Sequence, residues 1–219
     1  MTRIDRKQLV YDFVVEGICN GSLPANSAIV EQELSTKLNV SRTPVREALR
    51  QLEQDGLVTH FSSQGTFVKE VTEQDITEIY ELRILFETCG MEKAVVKMSD
   101  AMLDDLERML RAANVRKEQN TPDWYEDFYA ADAMLHRSIL SFCQNTRMIQ
   151  YYNVLNMQIE RLRRWGFNTP GRPGHSLEEH LEILNAVRTR DAALAKEALS
   201  HHLKNVYEAA IGAYRMSRM

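Results

Sequence analysis

The sequence predicts a mainly α-helical fold in two parts, an N-terminal winged helix-turn-helix with a small β-hairpin wing and a C-terminal antiparallel all-α bundle. Three observations carry this prediction. Between Ser41 and Gln54, apolar residues recur at helical spacing while arginines repeat on another face. Two short β-prone runs come next, joined by a glycine-containing turn. From Thr72 onward every apolar pattern has helical period.

Taken in order, Leu9, Val10, Phe13, Val14 and Ile18 mark a first helix that Asn20-Gly21 ends, and Leu23-Pro24-Ala25-Asn26 crosses to the next element. Val30 to Leu38 is a second, short amphipathic segment, and Asn39-Val40 separates it from the third. There, Val45, Ala48, Leu49 and Leu52 fall at i, i+3, i+4 and i+7 and form one buried stripe, while Arg42, Arg46 and Arg50 share another face. Ser41 stands at the N-cap position, and Pro44 lies in the first turn, where its missing N–H costs no intrahelical bond. Two short helices joined by a tight turn describe a helix-turn-helix, whose second helix enters the major groove of DNA. A merely solvated charged face is the competing reading of the arginines. Asp55-Gly56 stops the helix. Leu57 to Phe61 and Thr66 to Val68, joined by Ser62-Ser63-Gln64-Gly65, then read as a hairpin wing.

Val71-Thr72 is the expected hinge, which gives domains of residues 1–71 and 72–219. Thr72-x-x-Asp75 is a capping pattern for a helix running to about Met98. Met102 to Leu110 mark the next, and Thr121-Pro122 caps a third that carries Phe128, Leu135 and Ile139. Ile149, Leu155, Ile159 and Leu162 mark a fourth. Residues 167–175 hold two Gly and two Pro and read as a loop, Ser176-Leu177-Glu178-Glu179 reads as a capping box for a fifth helix, and Asp191 begins the last.

Composition narrows the function classes. With 44% hydrophobic residues the 219-residue chain can bury a core, whereas its net charge of −4 does not advertise a nucleic-acid binder. Any positive field must therefore be focused on one helix. Cys19, Cys89 and Cys143 are odd in number, far apart and without a C-x-x-C pair, and read as reduced core thiols. No apolar run approaches the ~18 residues of a membrane span, and the N-terminus has no hydrophobic signal region. A cytoplasmic location without membrane partners is expected.

The first third of the chain resembles the GntR family of bacterial transcription regulators, on Glu33-Leu34, Val40 to Leu49, Leu52, Asp55 to Val58 and Gly65 to Val68. That resemblance implies that Ser41, Arg42, Thr43 and Arg46 contact phosphates and base edges of double-stranded operator DNA, with Arg46 a candidate for guanine. Arg50 continues the same face. Gln64 and Gly65 at the wing tip would approach the minor groove. Gln32 departs from the family, which often carries a basic residue there, and offers a phosphate no charge.

The remainder resembles the FCD ligand-binding domain of the FadR-like branch, on Tyr80-Glu81-Leu82-Arg83 with Glu87, Asp132-x3-His136, Glu179-His180-x2-Ile183-x2-Ala186-Val187 and Ala195-x2-Ala198-Leu199-x2-His202-Leu203. Asp132 and His136 stack on one helix face, and spacing alone leaves them open to a structural reading. The resemblance implies a divalent transition metal (Zn, Ni or Mn) held by Asp132, His136, His180 and His202. His201 competes with His202, but the two point about 100° apart, and Leu199 and Val206 flank His202 on the inward side. Arg83 either pairs with Glu87 along its helix or, by resemblance, meets the carboxylate of a small effector. Asn205 is either an outer-shell or effector hydrogen-bond donor or a solvent-facing amide. Arg161, Arg163 and Arg164 read either as surface charge or, for one of them, as a lining residue of the same pocket, and His175 and His60 read as loop and wing residues.

Together these features predict a non-enzymatic regulator that binds DNA as a homodimer, with a small organic acid in a metal-containing pocket shifting the spacing of the recognition helices. Two alternatives stand beside it: a regulator whose effector is the ion itself, and a metal-dependent hydrolase.

Overall fold

The computed structural model describes residues 5–119, 121, 124–167, 169 and 171–218. The chain divides into two compact units, Met1–Ile76 with Asn153–Arg164 and Thr77–Tyr152 with Trp165–Met219.

In the first unit, helix α1 (Arg6–Asn20) starts where the Asp5 carboxylate accepts the amides of Lys7 and Gln8. It stops at Gly21, whose φ of 80° is the left-handed conformation glycine adopts without strain. Strand β1 (Ala28–Ile29), helix α2 (Glu31–Leu38) and helix α3 (Arg42–Gln54) follow. The turn between the two helices is fixed by Asn39 in the left-handed region and by the Ser35 hydroxyl, which donates to the Val40 carbonyl at 2.6 Å. Helix α3 begins after Ser41 as predicted, but the Ser41 hydroxyl makes no capping bond. What holds α3 is its apolar stripe. Val45, Ala48, Leu49 and Leu52 are its buried residues, and they join Val10, Val14 and Ile18 of α1 in one core. The Tyr11 hydroxyl donates to Asp55 at 2.7 Å and ties α1 to the end of α3.

The wing is the predicted hairpin, β2 (Val58–Phe61) and β3 (Gly65–Val68), with Phe61 opposite Gly65. Strand β1 was not expected. It pairs antiparallel with β3, Ala28 opposite Phe67, so the sheet order is β1-β3-β2. Two residues are too short a run for alternation to show in a sequence. Within the same unit, Met157 packs on the core, Gln158 donates to the Asp55 carbonyl at 3.0 Å, and Arg161 donates to the Lys69 carbonyl at 2.8 Å. Arg161 and Arg163 are thus not the surface charges expected: the first is part-buried, and the second is buried beside Glu160.

Six further helices are α4 (Glu73–Lys97), α5 (Asp100–Glu118), α6 (Trp124–Ser141), α7 (Thr146–Phe167), α8 (Arg172–Arg188) and α9 (Ala192–Met216). Thr72 and Asp75 form the predicted reciprocal cap of α4, and Asp191 caps α9 by accepting from Ala193 and Leu194. The second unit's core gathers Met91 and Val95 of α4, Leu103 and Leu110 of α5, Leu135 and Ile139 of α6, Ile183 of α8, and Leu199 and Leu203 of α9. Gly90 lets α4 approach α6, since a Cβ there would stand 3.1 Å from the Ile139 carbonyl oxygen.

The start of α8 corrects the sequence reading. The helix begins at Arg172, after Gly171 turns the chain at φ 82°, and Pro173 sits in the first turn. Ser176, read as the start of a capping box, is buried one turn inside. Asn168 and Pro170 of the expected loop, and Pro122 of the expected Thr121-Pro122 cap, lie outside the described residues. Among the described residues no helix is long and apolar enough to cross a membrane.

Leu52 is fully buried at the centre of the first core. Leu52→Ala is expected to cost about 2–5 kcal/mol of stability, read as a lower midpoint in chemical denaturation of the full chain. A midpoint equal to wild type would contradict this packing.

Candidate metal centre and nucleic-acid interface

Asp132 and His136 on α6, His180 on α8 and His202 on α9 are all buried, and each offers one ligand atom lying within 4.8 Å of the others'. His180 Nε2 stands 3.1 Å from Asp132 Oδ1 and 3.3 Å from His202 Nε2, and His136 Nε2 stands 3.6 Å from the same Asp132 oxygen. His202 is the inward residue of its pair, as expected, and His201 is exposed. His175 and His60 are exposed and stand apart from this group.

Two buried carboxylates set the histidine tautomers. Glu87 Oε2 accepts from His136 Nδ1 at 2.5 Å, and Glu179 Oε2 accepts from His202 Nδ1 at 2.7 Å. A carboxylate only accepts, so the proton sits on Nδ1 and leaves the Nε2 lone pair facing the cluster. Burial pushes His180 down and, with the neighbouring His180, pushes His202 well below the ordinary imidazole range. Both rings are therefore held neutral, the form that ligates. Buried His136 Nε2 has no hydrogen-bond partner. Three imidazole nitrogens and one carboxylate oxygen fit a divalent transition cation, and an inward lone pair without a donor is what such a cation would satisfy.

Sequence reasoning missed what surrounds the cluster. Glu179 is gripped at both oxygens by Arg172, at 2.8 and 2.5 Å, and by Asn205 Nδ2 at 2.8 Å. Asn205 therefore stands behind Glu179, in the outer-shell role considered for it. Burial alone would raise the Glu179 carboxyl, but the Arg172 and His202 hydrogen bonds hold it well below the usual carboxylate range. Arg172 lay in a stretch that read as loop, and no periodicity signalled it.

Arg83 makes the pair with Glu87 that its spacing offered. It is fully buried, and its Nε donates to Glu87 Oε1 at 2.7 Å along the helix. Among the described residues its buried Nη1 and Nη2 have no hydrogen-bond partner. Burial opposes its charge, and Glu87 together with Tyr152, Tyr80 and Asp132 outweighs that, so the guanidinium stays protonated. Glu87 also accepts from the Tyr152 hydroxyl at 2.9 Å.

On the first unit, Arg42, Arg46 and Arg50 of α3 are all exposed, as are Ser41, Thr43, Gln32 and Gln64. They are not idle. Gln32 Oε1 accepts from Arg42 Nε and Nη2 at 3.1 and 2.6 Å, and Glu31 Oε2 accepts from Arg46 Nε at 2.8 Å. Consecutive residues of α2 thus hold consecutive arginines of one α3 face. Gln32, which lacks a charge of its own, orients one. A cleft there is lined by Glu31, Arg46, Arg50, Glu53 and His60 of the wing. At the wing tip a Cβ on Gly65 would meet nothing within 4 Å, and Gly65 has a φ of 104°, so its bare backbone is open to an approaching strand.

Two family models match the chain. The family model described as the FCD domain matches residues 78–205, and that described as bacterial regulatory proteins, gntR family, matches residues 6–68. The probable D-xylose utilization operon transcriptional repressor of Paenarthrobacter nicotinovorans is 28% identical over 206 residues, which span 93% of this chain and 88% of that protein. A GntR transcriptional regulator from Rhodococcus sp. RHA1 shares the fold with a TM-score of 0.77 at 24% identity, covering 95% of this chain and 99% of the other. McbR/YncC of E. coli does so with a TM-score of 0.80 at 18% identity, covering 97% and 100%.

Two outcomes test these assignments. The double variant His136→Ala/His180→Ala is expected to carry background metal by elemental analysis while wild type carries bound metal; equal contents would move the site elsewhere. In anisotropy titrations with a selected duplex, Arg46→Ala is expected to weaken binding by about 1–3 kcal/mol, the cost of one bidentate base contact. Unchanged affinity on removing Arg46 would remove it from the interface.

Proposed function

This chain belongs to the gntR family of bacterial regulatory proteins and carries an FCD domain, and on that premise we propose that it binds a pseudo-palindromic operator as a homodimer and answers to a small organic acid in its helical domain. It is a DNA-binding transcription regulator, and its family and relatives are regulators rather than enzymes. We take residues 1–71 as the DNA-binding domain, with Ser41, Arg42, Thr43, Arg46, Arg50, Gln32, Gln64 and Gly65 on the duplex, and residues 72–219 as the sensing and dimerising domain.

The observation that carries the acid reading is Arg83. A guanidinium with no exposed surface and two terminal nitrogens lacking a partner among the described residues is costly, because each unmet buried donor forfeits about 1–3 kcal/mol. A carboxylate presents two acceptors in the geometry of that fork and would satisfy both. Asp132, His136, His180 and His202 would hold the divalent cation, which when bound supplies a Lewis-acidic point for an oxygen ligand. The Asp132 charge acts on Arg83, so an acid held by the guanidinium lies in the field of that cluster. Arg83 fixes the acid's orientation, and Glu87 fixes Arg83.

A second reading, in which the ion is itself the effector, has support in the same geometry. The four ligands converge and two are already backed by carboxylates, so the centre needs no organic partner to be complete. Titrating operator binding with metal, with and without a panel of small carboxylic acids, separates the two.

Arg83→Lys keeps a charge for Glu87 but loses the planar fork. With affinities normalised to each variant's acid-free value, wild type is expected to show an acid-induced change of about 5–150-fold in operator affinity, the range for 1–3 kcal/mol of coupling. The variant is expected to show none. An undiminished response would exclude Arg83 as the acid's anchor.

A further inference from the structure

Arg172 offers no ligand atom to the Asp132 cluster and yet reaches it. It is the first residue of α8, placed there by the turn at Gly171 and by Pro173 in the first turn. Glu179 stands seven residues on, two turns along the same face of the helix. Both side chains are buried, and the guanidinium grips the carboxylate as a fork, Nη1 donating to Oε1 at 2.8 Å and Nη2 to Oε2 at 2.5 Å. From α9, His202 Nδ1 donates to Oε2 at 2.7 Å and Asn205 Nδ2 donates to Oε1 at 2.8 Å. One carboxylate thus joins the start of α8 to a histidine of α9.

We propose that Arg172 is a positioning residue for the metal centre: its fork fixes the Glu179 carboxylate, and Glu179 fixes the His202 ring with Nε2 aimed at the ion. This rests on the metal reading of Asp132, His136, His180 and His202. A glutamate held at one oxygen can still swing about that contact, whereas a planar fork on both oxygens fixes the plane of the carboxylate and the direction of its lone pairs. The three imidazoles are not equally supported. His136 is backed by Glu87, which Arg83 holds at one oxygen through Nε. Among the described residues His180 Nδ1 has no hydrogen-bond partner. His202 is the ring whose carboxylate is gripped at both oxygens, and Arg172 supplies the grip. The role differs from that of Arg83: both terminal nitrogens of Arg172 are directed at Glu179. Outer-shell partners of a ligating histidine are worth about 10–100-fold in metal affinity, and Arg172 contributes in that range although it never touches the ion.

The test is a zinc titration of the full-length protein in competition with the chelating dye zincon. Arg172→Met and Arg172→Lys are each expected to bind zinc about 10–100-fold more weakly than wild type. The lysine keeps a positive charge beside Glu179, which preserves the fold, but cannot grip both oxygens. Glu179→Gln is also expected to weaken binding, and adding Arg172→Met to it is expected to cost nothing further, because the arginine acts through that carboxylate. Two results overturn the inference: wild-type affinity in both Arg172 variants, or a loss from Arg172→Met that is as large in the Glu179→Gln background as in wild type. Wild-type binding no tighter than that of His136→Ala/His180→Ala would overturn the metal reading itself, and this inference with it.

Discussion

Two buried carboxylates, Glu87 and Glu179, govern the helical unit. Each is shared by a guanidinium and by the Nδ1 proton of a histidine, Arg83 and His136 for one and Arg172 and His202 for the other. Breaking a buried pair by removing one partner costs about 3–5 kcal/mol, because a charge is left in a medium that cannot solvate it. The carboxylates are therefore tied to their arginines, and the histidines are tied to the carboxylates. Within this network the imidazoles His180 and His202 are held neutral. The Asp132 carboxylate sits among the imidazole nitrogens, and the four groups together would coordinate a divalent cation at that point.

Much of this was legible in the sequence, and the parts that were not share a cause. The buried stripe of α3 and its exposed arginines follow from helical periodicity, and Leu199 and Val206 identified His202 over His201 by the same rule. Asp132 and His136 lie one turn apart on a single helix. Glu179 to His202 and Glu87 to His136 are contacts between different helices, and no period in a sequence encodes which turns of two helices face each other. Arg172 was hidden for another reason. A Gly- and Pro-rich stretch reads as loop, yet Pro in a first turn and Gly just before it are also how a helix begins. Glycine and proline mark a change of direction without saying on which residue the helix resumes.

The DNA-binding unit meets the opposite electrostatic problem. A chain of net charge −4 repels duplex phosphates at long range, so attraction must come from side chains close to the groove. Arg42, Arg46 and Arg50 present guanidiniums on one exposed face, while Gln32 and Glu31 of the preceding helix hold the first two in place. An exposed pair such as Arg46 with Glu31 is worth little in free energy. Its effect is conformational: Glu31 binds Nε and leaves both terminal nitrogens of the fork free to read a base edge. A flexible arginine would lose about 2 kcal/mol of rotamer freedom on binding. One already held along its stem loses less.

The same logic of holding a charged group by its stem recurs in the helical unit. Glu87 binds Arg83 through Nε, as Glu31 binds Arg46, and in both cases Nη1 and Nη2 remain for a ligand. The difference is solvent. Around Arg46 water competes for the free nitrogens, so a contact there contributes mainly geometry and selectivity. Around Arg83 there is no exposed surface, the two terminal nitrogens have no partner among the described residues, and a matching pair of acceptors would gain the desolvated value of both bonds. On the proposed reading the buried fork would therefore be the more strongly discriminating of the two. It would favour an anion with two coplanar oxygens and leave a donor unmet for any ligand that lacks them.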